Sequence, residues 1–150
     1  MQFTNKETNY LNEAKSFEQL CVDKYSKYSQ QAIAPELKGL FGSIAQKEQQ
    51  HLNSINQIIG GTVPQMSSGQ AQAQPPAPPV VKQSQQDKNA DKYLCQDALT
   101  SEKHVSSFYN TAIFEFNDVG VRNVLNHLQK EEQEHGDQIY KYMSANGMYN

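Results

Sequence analysis

The sequence predicts an all-α chain folded as a four-helix bundle, two antiparallel helical hairpins joined by a long Pro/Gln-rich crossover. Three observations predict it. Apolar residues recur at three- and four-residue spacing over four separate stretches, the period of an amphipathic helix. Five of the six prolines (Pro64, Pro75, Pro76, Pro78 and Pro79) fall in one segment, GTVPQMSSGQAQAQPPAPPVVKQSQQDK, residues 61–88. The halves on either side of it repeat at an offset of 84 residues without a gap. Valine and isoleucine nowhere cluster with period two, so no strand is expected. A chain of 150 residues can enclose one sizeable core. The expected organisation is one domain over 1–150, with a hairpin at 4–60, the linker at 61–88 and a hairpin at 89–145.

Each element has its own signals. Thr4-Asn-Lys-Glu7 has the form of a capping box and starts a first helix running to about Ile33. Pro35 suits the first turn of a second helix, which ends near Gly60-Gly61. The proline-rich linker cannot be helix interior and favours extended chain. A third helix is expected from about Asn89 to Phe116. Asp118 can cap a fourth, which ends before Asn146-Gly147. The linker is long enough to cross the bundle; if it does, the second and third helices run parallel and a pseudo-twofold axis relates the halves.

The inward stripes carry the chemistry. In the first helix the stripe is Leu11, Ala14, Glu18, Cys21, Tyr25, Tyr28 and Ala32. In the second it is Leu37, Phe41, Ile44, Glu48, His51, Ile55 and Ile58. The third has Cys95, Ala98, Glu102, Val105, Tyr109, Ala112 and Phe116, and the fourth has Val121, Leu125, Leu128, Glu132, His135, Ile139 and Tyr142. Each stripe is apolar or aromatic except for a carboxylate where a hydrophobe belongs. The offset of 84 relates Glu18 to Glu102, Tyr25 to Tyr109 and Glu48-x-x-His51 to Glu132-x-x-His135.

A single Glu-x-x-His on a polar helix is ordinarily a solvated face. Two at the same offset, each 30 residues after a stripe glutamate, point to an inward-facing metal site instead, with coincidence or a degenerate site as the alternative. Buried carboxylates without partners are too costly to keep ionised, and the stripes hold no lysine or arginine to neutralise them. Two metal ions, iron with manganese as the alternative, satisfy the whole set: one Glu from each of two helices plus a Glu-x-x-His from each of the other two. Glu48 and Glu132 are then expected to bridge, with Glu18, His51, Glu102 and His135 as terminal ligands. Tyr25 and Tyr109 lie one or two turns away, as hydrogen donors or radical sinks, or as plain core packing. Glu131 and Glu134 fall off the stripe and are expected in solvent, while His104 and His127 read as surface or boundary residues.

Composition narrows the function classes. A net charge of −3 and a pI of about 5.8 speak against a nucleic-acid surface or an anionic-membrane surface. No apolar run reaches the length of a membrane span. The start, MQFTNKETNY, lacks a basic and apolar leader, so cytoplasmic synthesis without a signal peptide is expected. Cys21 and Cys95 form no Cys-x-x-Cys and read as buried free thiols.

The six candidate ligands resemble the bacterioferritin-type pattern of the ferritin-like superfamily, in which a tyrosine commonly follows the lone glutamate by seven residues. The hairpin spacing here is a few residues shorter than in that superfamily. Leu99 stands where rubrerythrins often carry an extra glutamate, and two cysteines cannot form their Cys₄ module. Much of the second half is similar to the coat F family of spore coat proteins. The similarity lies in Lys103-His-Val-Ser-Ser-Phe-Tyr-Asn-Thr-Ala-Ile-Phe-Glu115, Val121-Arg-Asn-Val-Leu125, Glu131-Glu-Gln-Glu-His135 and the ending Asn146-Gly-Met-Tyr149. The first half is similar more loosely, through Leu20-Cys-Val-Asp-Lys-Tyr-Ser26 and Glu48-Gln-Gln-His51. These resemblances imply a ferritin-like bundle in the spore coat, associating with other coat proteins or with itself. They also keep open the alternative of a soluble di-iron oxidase, peroxidase or ferroxidase.

Overall fold

A computed structural model describes residues 1–66 and 76–149 of the chain. These residues form four helices and no strand: α1 (Asn5–Gln31), α2 (Pro35–Ile59), α3 (Gln85–Ile113) and α4 (Val119–Ala145). No helix among them is long and apolar enough to cross a membrane. Residues 67–75, the centre of the expected linker, lie outside the described residues.

The helix starts follow from side-chain caps. Thr4 Oγ1 accepts from the Glu7 amide at 3.1 Å while Glu7 Oε2 accepts from the Thr4 amide at 2.8 Å, a complete capping box. Pro35 occupies the first turn of α2, and Asp118 Oδ1 accepts from the Val121 amide at 2.8 Å at the start of α4. The third helix differs from expectation at both ends. It begins at Gln85 rather than near Asn89, because Ser84 Oγ accepts from the Asp87 amide at 3.1 Å and caps a turn whose polar composition reads as linker. It ends at Ile113 rather than Phe116, because the Glu115 amide turns back to the Ala112 carbonyl at 2.9 Å. Phe116 then packs edge-on against Phe3, with ring centroids 6.2 Å apart.

Every stripe position is buried except Tyr28, which is half-buried. Tyr25, Tyr109, Phe41 and Leu37 are fully enclosed, and burying each large side chain contributes about 1.5–3 kcal/mol. Helix α1 packs chiefly on α2 and α3 on α4, with α1 also against α3 and α2 against α4. Lys24–Asp97, Phe17–His104 and Lys6–Glu115 step down α1 as they step up α3 and into the turn after it. The described ends of the linker lie at opposite ends of α4. Val63 packs against Gly120 near its start, and the Val81 amide donates to Asn146 Oδ1 at 2.8 Å just past its end. A helix of 27 residues is about 40 Å long, so the described ends of the linker stand about one bundle length apart.

Two buried acids tie the halves together. Asp91 accepts from the Ile33 and Ala34 amides at 2.8 and 3.0 Å, satisfying the turn between α1 and α2. Glu7 accepts from the Asn117 amide at 3.1 Å, in the turn between α3 and α4. Glu7 and Asp91 are 84 positions apart, and so are Ile33 and Asn117. The pseudo-twofold relation therefore reaches the turns. Each half supplies the acceptor for the other's exposed backbone donors.

Candidate metal centre

The helical period places Glu18, Glu48, His51, Glu102, Glu132 and His135 at mid-helix on inward faces, and the bundle brings all six together. Each is at most 3% exposed. Their ligating atoms form two groups, Glu18, Glu48, His51 and Glu132, and Glu48, Glu102, Glu132 and His135, each with its donor atoms within 4.8 Å of one another. Glu48 and Glu132 belong to both. Such groups can hold metal ions.

The shortest contact of each histidine crosses between the halves. His51 Nδ1 lies 2.8 Å from Glu132 Oε1, 3.3 Å from Glu48 Oε2 and 3.6 Å from Glu18 Oε2. His135 Nδ1 lies 3.0 Å from Glu48 Oε1, 3.7 Å from Glu102 Oε1 and 3.8 Å from Glu132 Oε2. The two imidazole rings stack with centroids 5.7 Å apart. Tyr25 donates its hydroxyl to Glu102, and Tyr109 donates to Glu18, so each tyrosine serves the lone glutamate of the other half.

Burial and like-charge crowding govern the protons. Burial pushes the Glu18 carboxyl up to about 8, against the opposing pull of His51. Burial, then Glu102, raises Glu132 well above the carboxylate range. Burial acts on Glu48 in the same sense, but bonds from His135 and His51 hold it well below that range. Burial works to discharge the imidazoles. Glu131 and Glu132 nevertheless hold His51 well above its ordinary value, and Glu102, Glu132 and Glu48 hold His135 up at about 12. Without metal, these effects favour protonated imidazoles, an ionised Glu48 and protonated Glu18 and Glu132. Burial likewise keeps the Tyr25 and Tyr109 hydroxyls protonated as donors.

Even so, the centre is not satisfied from within. Glu18, Glu48, Glu102 and Glu132 each keep one buried Oε2 with no hydrogen-bond partner among the described residues. Unpartnered buried carboxylate oxygens are costly. Four of them facing two Nδ1 atoms make a carboxylate–imidazole donor set that could hold a metal ion.

Glu131 departs from the expectation of a solvated residue. It is 8% exposed, with Oε1 3.3 Å from His51 Nε2 and 2.8 Å from His127 Nε2, and Oε2 3.5 Å from Lys47 Nζ. The bond to His51 draws its carboxyl down to about 2. A carboxylate on the far nitrogen of an inward-facing imidazole fixes the ring's orientation. The stripe pattern misses Glu131 because its burial comes from α2, across an interface that intrahelical spacing does not describe. Lys47, which is 84 positions before it, breaks the pseudosymmetry at this point. Glu134, also expected in solvent, is half-buried, whereas His104, exposed beside Phe17, and His127, at the boundary, stand as expected. Cys21 and Cys95 are buried and free.

Neither curated proteins nor solved structures provide a match to the chain. Residues 90–150 match the Coat F domain, a segment that begins within α3, contains all of α4 and carries Glu102, Tyr109, Glu132 and His135.

Proposed function

We propose that this chain is a spore coat protein built as a ferritin-like bundle of two antiparallel hairpins, and that it holds two iron or manganese ions in the bundle. The observation that carries the metal reading is the set of four buried carboxylate oxygens without partners, one per helix, around two inward-facing imidazoles. Glu48 and Glu132, which belong to both donor groups, would serve both ions. Glu18 and His51 complete one position, and Glu102 and His135 the other. Tyr25 and Tyr109 orient Glu102 and Glu18 from outside. A bound pair would supply one-electron chemistry toward dioxygen or peroxide.

The coat reading is supported by the Coat F domain match and by the surface. Phe114, Tyr93 and Val80 are 84, 69 and 77% exposed, which suits association with other coat proteins or further copies of this chain. Elemental analysis after loading the stripped protein with Fe(II) or Mn(II) tests the metal centre, with two ions per chain expected. A loaded protein without bound metal overturns it. Recovery of the chain in the coat fraction of spores tests the location, and its absence there overturns the coat role.

A second reading, a soluble di-iron oxidase, peroxidase or ferroxidase, is favoured by the completeness of the ligand set. Catalytic Fe(II) oxidation by the loaded protein, with none of the chain in spore coats, would select it.

A further inference from the structure

The offset of 84 pairs Gly136 in α4 with Leu52 in α2, each one position after the histidine of its Glu-x-x-His. The two residues treat their halves of the centre differently. Leu52 is 5% exposed and lies outside the continuous apolar core formed by the stripes. Gly136 instead borders an open groove of about 780 Å³ between α3 and α4. Its inner end is formed by buried Glu102 and Glu132, and its outer wall includes exposed Gln133 and Asp137.

Glycine is not needed at position 136 for its backbone. The residue is helical, and glycine in a helix interior costs about 1 kcal/mol relative to alanine. Close packing does not require it either. A Cβ there would sit 3.7 Å from Leu99 Cδ1 and 4.0 Å from Glu102 Cβ, ordinary contact distances. What glycine leaves is space over Glu102, with Leu99 the nearest side chain across it.

We propose that the α3–α4 groove at Gly136 is the route by which hydrated divalent cations reach the centre. They arrive at the Glu102–Glu132–His135 side, with Leu99 partly covering the opening and Leu52 closing the matching position in the other half. Glu102 and Glu132 at the inner end present the oxygen ligands that a divalent cation takes up as it releases the Glu132 proton. The inference rests on the metal reading given above, and its test separates the two.

Stopped-flow uptake of Co(II), followed by its visible absorption, is compared for the stripped wild-type chain and for Gly136→Leu, Gly136→Ala and Leu99→Ala. Equilibrium stoichiometry and thermal melting are measured alongside. The route predicts two Co(II) per chain in all four. Gly136→Leu should load slower by on the order of tenfold, the rate equivalent of about 1.4 kcal/mol, with Gly136→Ala between it and wild type and Leu99→Ala faster. Unchanged uptake rates in Gly136→Leu, with two ions still bound, overturn the route and leave the metal centre standing. No Co(II) uptake by the wild-type chain overturns both. If Gly136→Leu does not melt as a folded protein, Gly136→Ala, whose Cβ fits without displacement, decides by the same comparison.

Discussion

Replacing Glu18 and Glu48 by glutamine should move the stability of the metal-stripped protein in opposite directions, although both side chains are fully buried and only a few ångströms apart. At pH 7 the Glu18 carboxyl, held up at about 8, keeps its proton in the folded chain, whereas its ordinary value of 4.5 leaves it ionised when unfolded. Each pH unit between 4.5 and 7 costs folding about 1.4 kcal/mol, so this glutamate costs roughly 3 kcal/mol at pH 7. Glutamine has the shape of the protonated acid, still accepts from Tyr109 and carries no such cost. Glu48 stands between two imidazolium groups, at 3.0 Å from His135 and 3.3 Å from His51. Removing the anion from a buried pair costs about 3–5 kcal/mol. For a chain of this size each kcal/mol moves the melting temperature by about 2–4 °C. Calorimetry at pH 7 in chelator should therefore show Glu18→Gln melting about 6–12 °C higher, and Glu48→Gln about 6–20 °C lower, than wild type. After loading, Glu18→Gln should hold one ion and Glu48→Gln none, since Glu48 serves both positions. Equal destabilisation of the stripped protein by both variants would refute the assignment of protons, and two ions retained by either would refute the ligand set.

Stripped and loaded proteins should respond oppositely to pH. Glu18, at about 8, and His135, at about 12, keep protons in the folded state that the unfolded chain has released above 4.5 and 6.5. Stripped stability therefore falls as pH rises from 5 to 8, whereas metal, which must displace those protons, binds more tightly over the same range. Melting curves at pH 5.5 and 8 in chelator and in excess Mn(II) check this, and parallel slopes would count against it. Tyr109→Phe and Tyr25→Phe each remove a buried donor from a carboxylate and should each lower stability by about 1–3 kcal/mol, by nearly equal amounts, in denaturant titrations. Asp91→Ala strips the acceptor from the Ile33 and Ala34 amides and should cost on the order of 3 kcal/mol. Hydrogen exchange should show both amides losing protection, and unchanged exchange would mean that the turn is held by something else.

What was legible in the sequence was whatever repeats with the helical period. Glu18, Tyr25, Glu48 and His51 point inward because three- and four-residue steps return to one face, and that holds whichever helix lies opposite. The caps at Thr4 and Asp118 and the proline at the start of α2 were equally local, since their partners lie within one turn. Ser84 was just as local, but its polar neighbours hid it in the linker composition. The offset of 84 was also on the page, and it already contained the Glu7–Asp91 pair, whose meaning appears only when each acid is seen at the other half's turn.

Tertiary structure alone decided the partners. Tyr25 serves Glu102 and not its own half's glutamate, because the distance that matters is between helices and periodicity within one helix is silent about it. Glu131 is off the stripe by its own helix's geometry yet buried, because α2 brings His51 and Lys47 over it. Gly136 and Leu52 look like unrelated residues until the bundle puts them on equivalent positions, one beside a groove and one buried. A sequence written as amphipathic helices determines which side chains leave water, since burial depends on the face. Which of them meet is set by how four such faces pack.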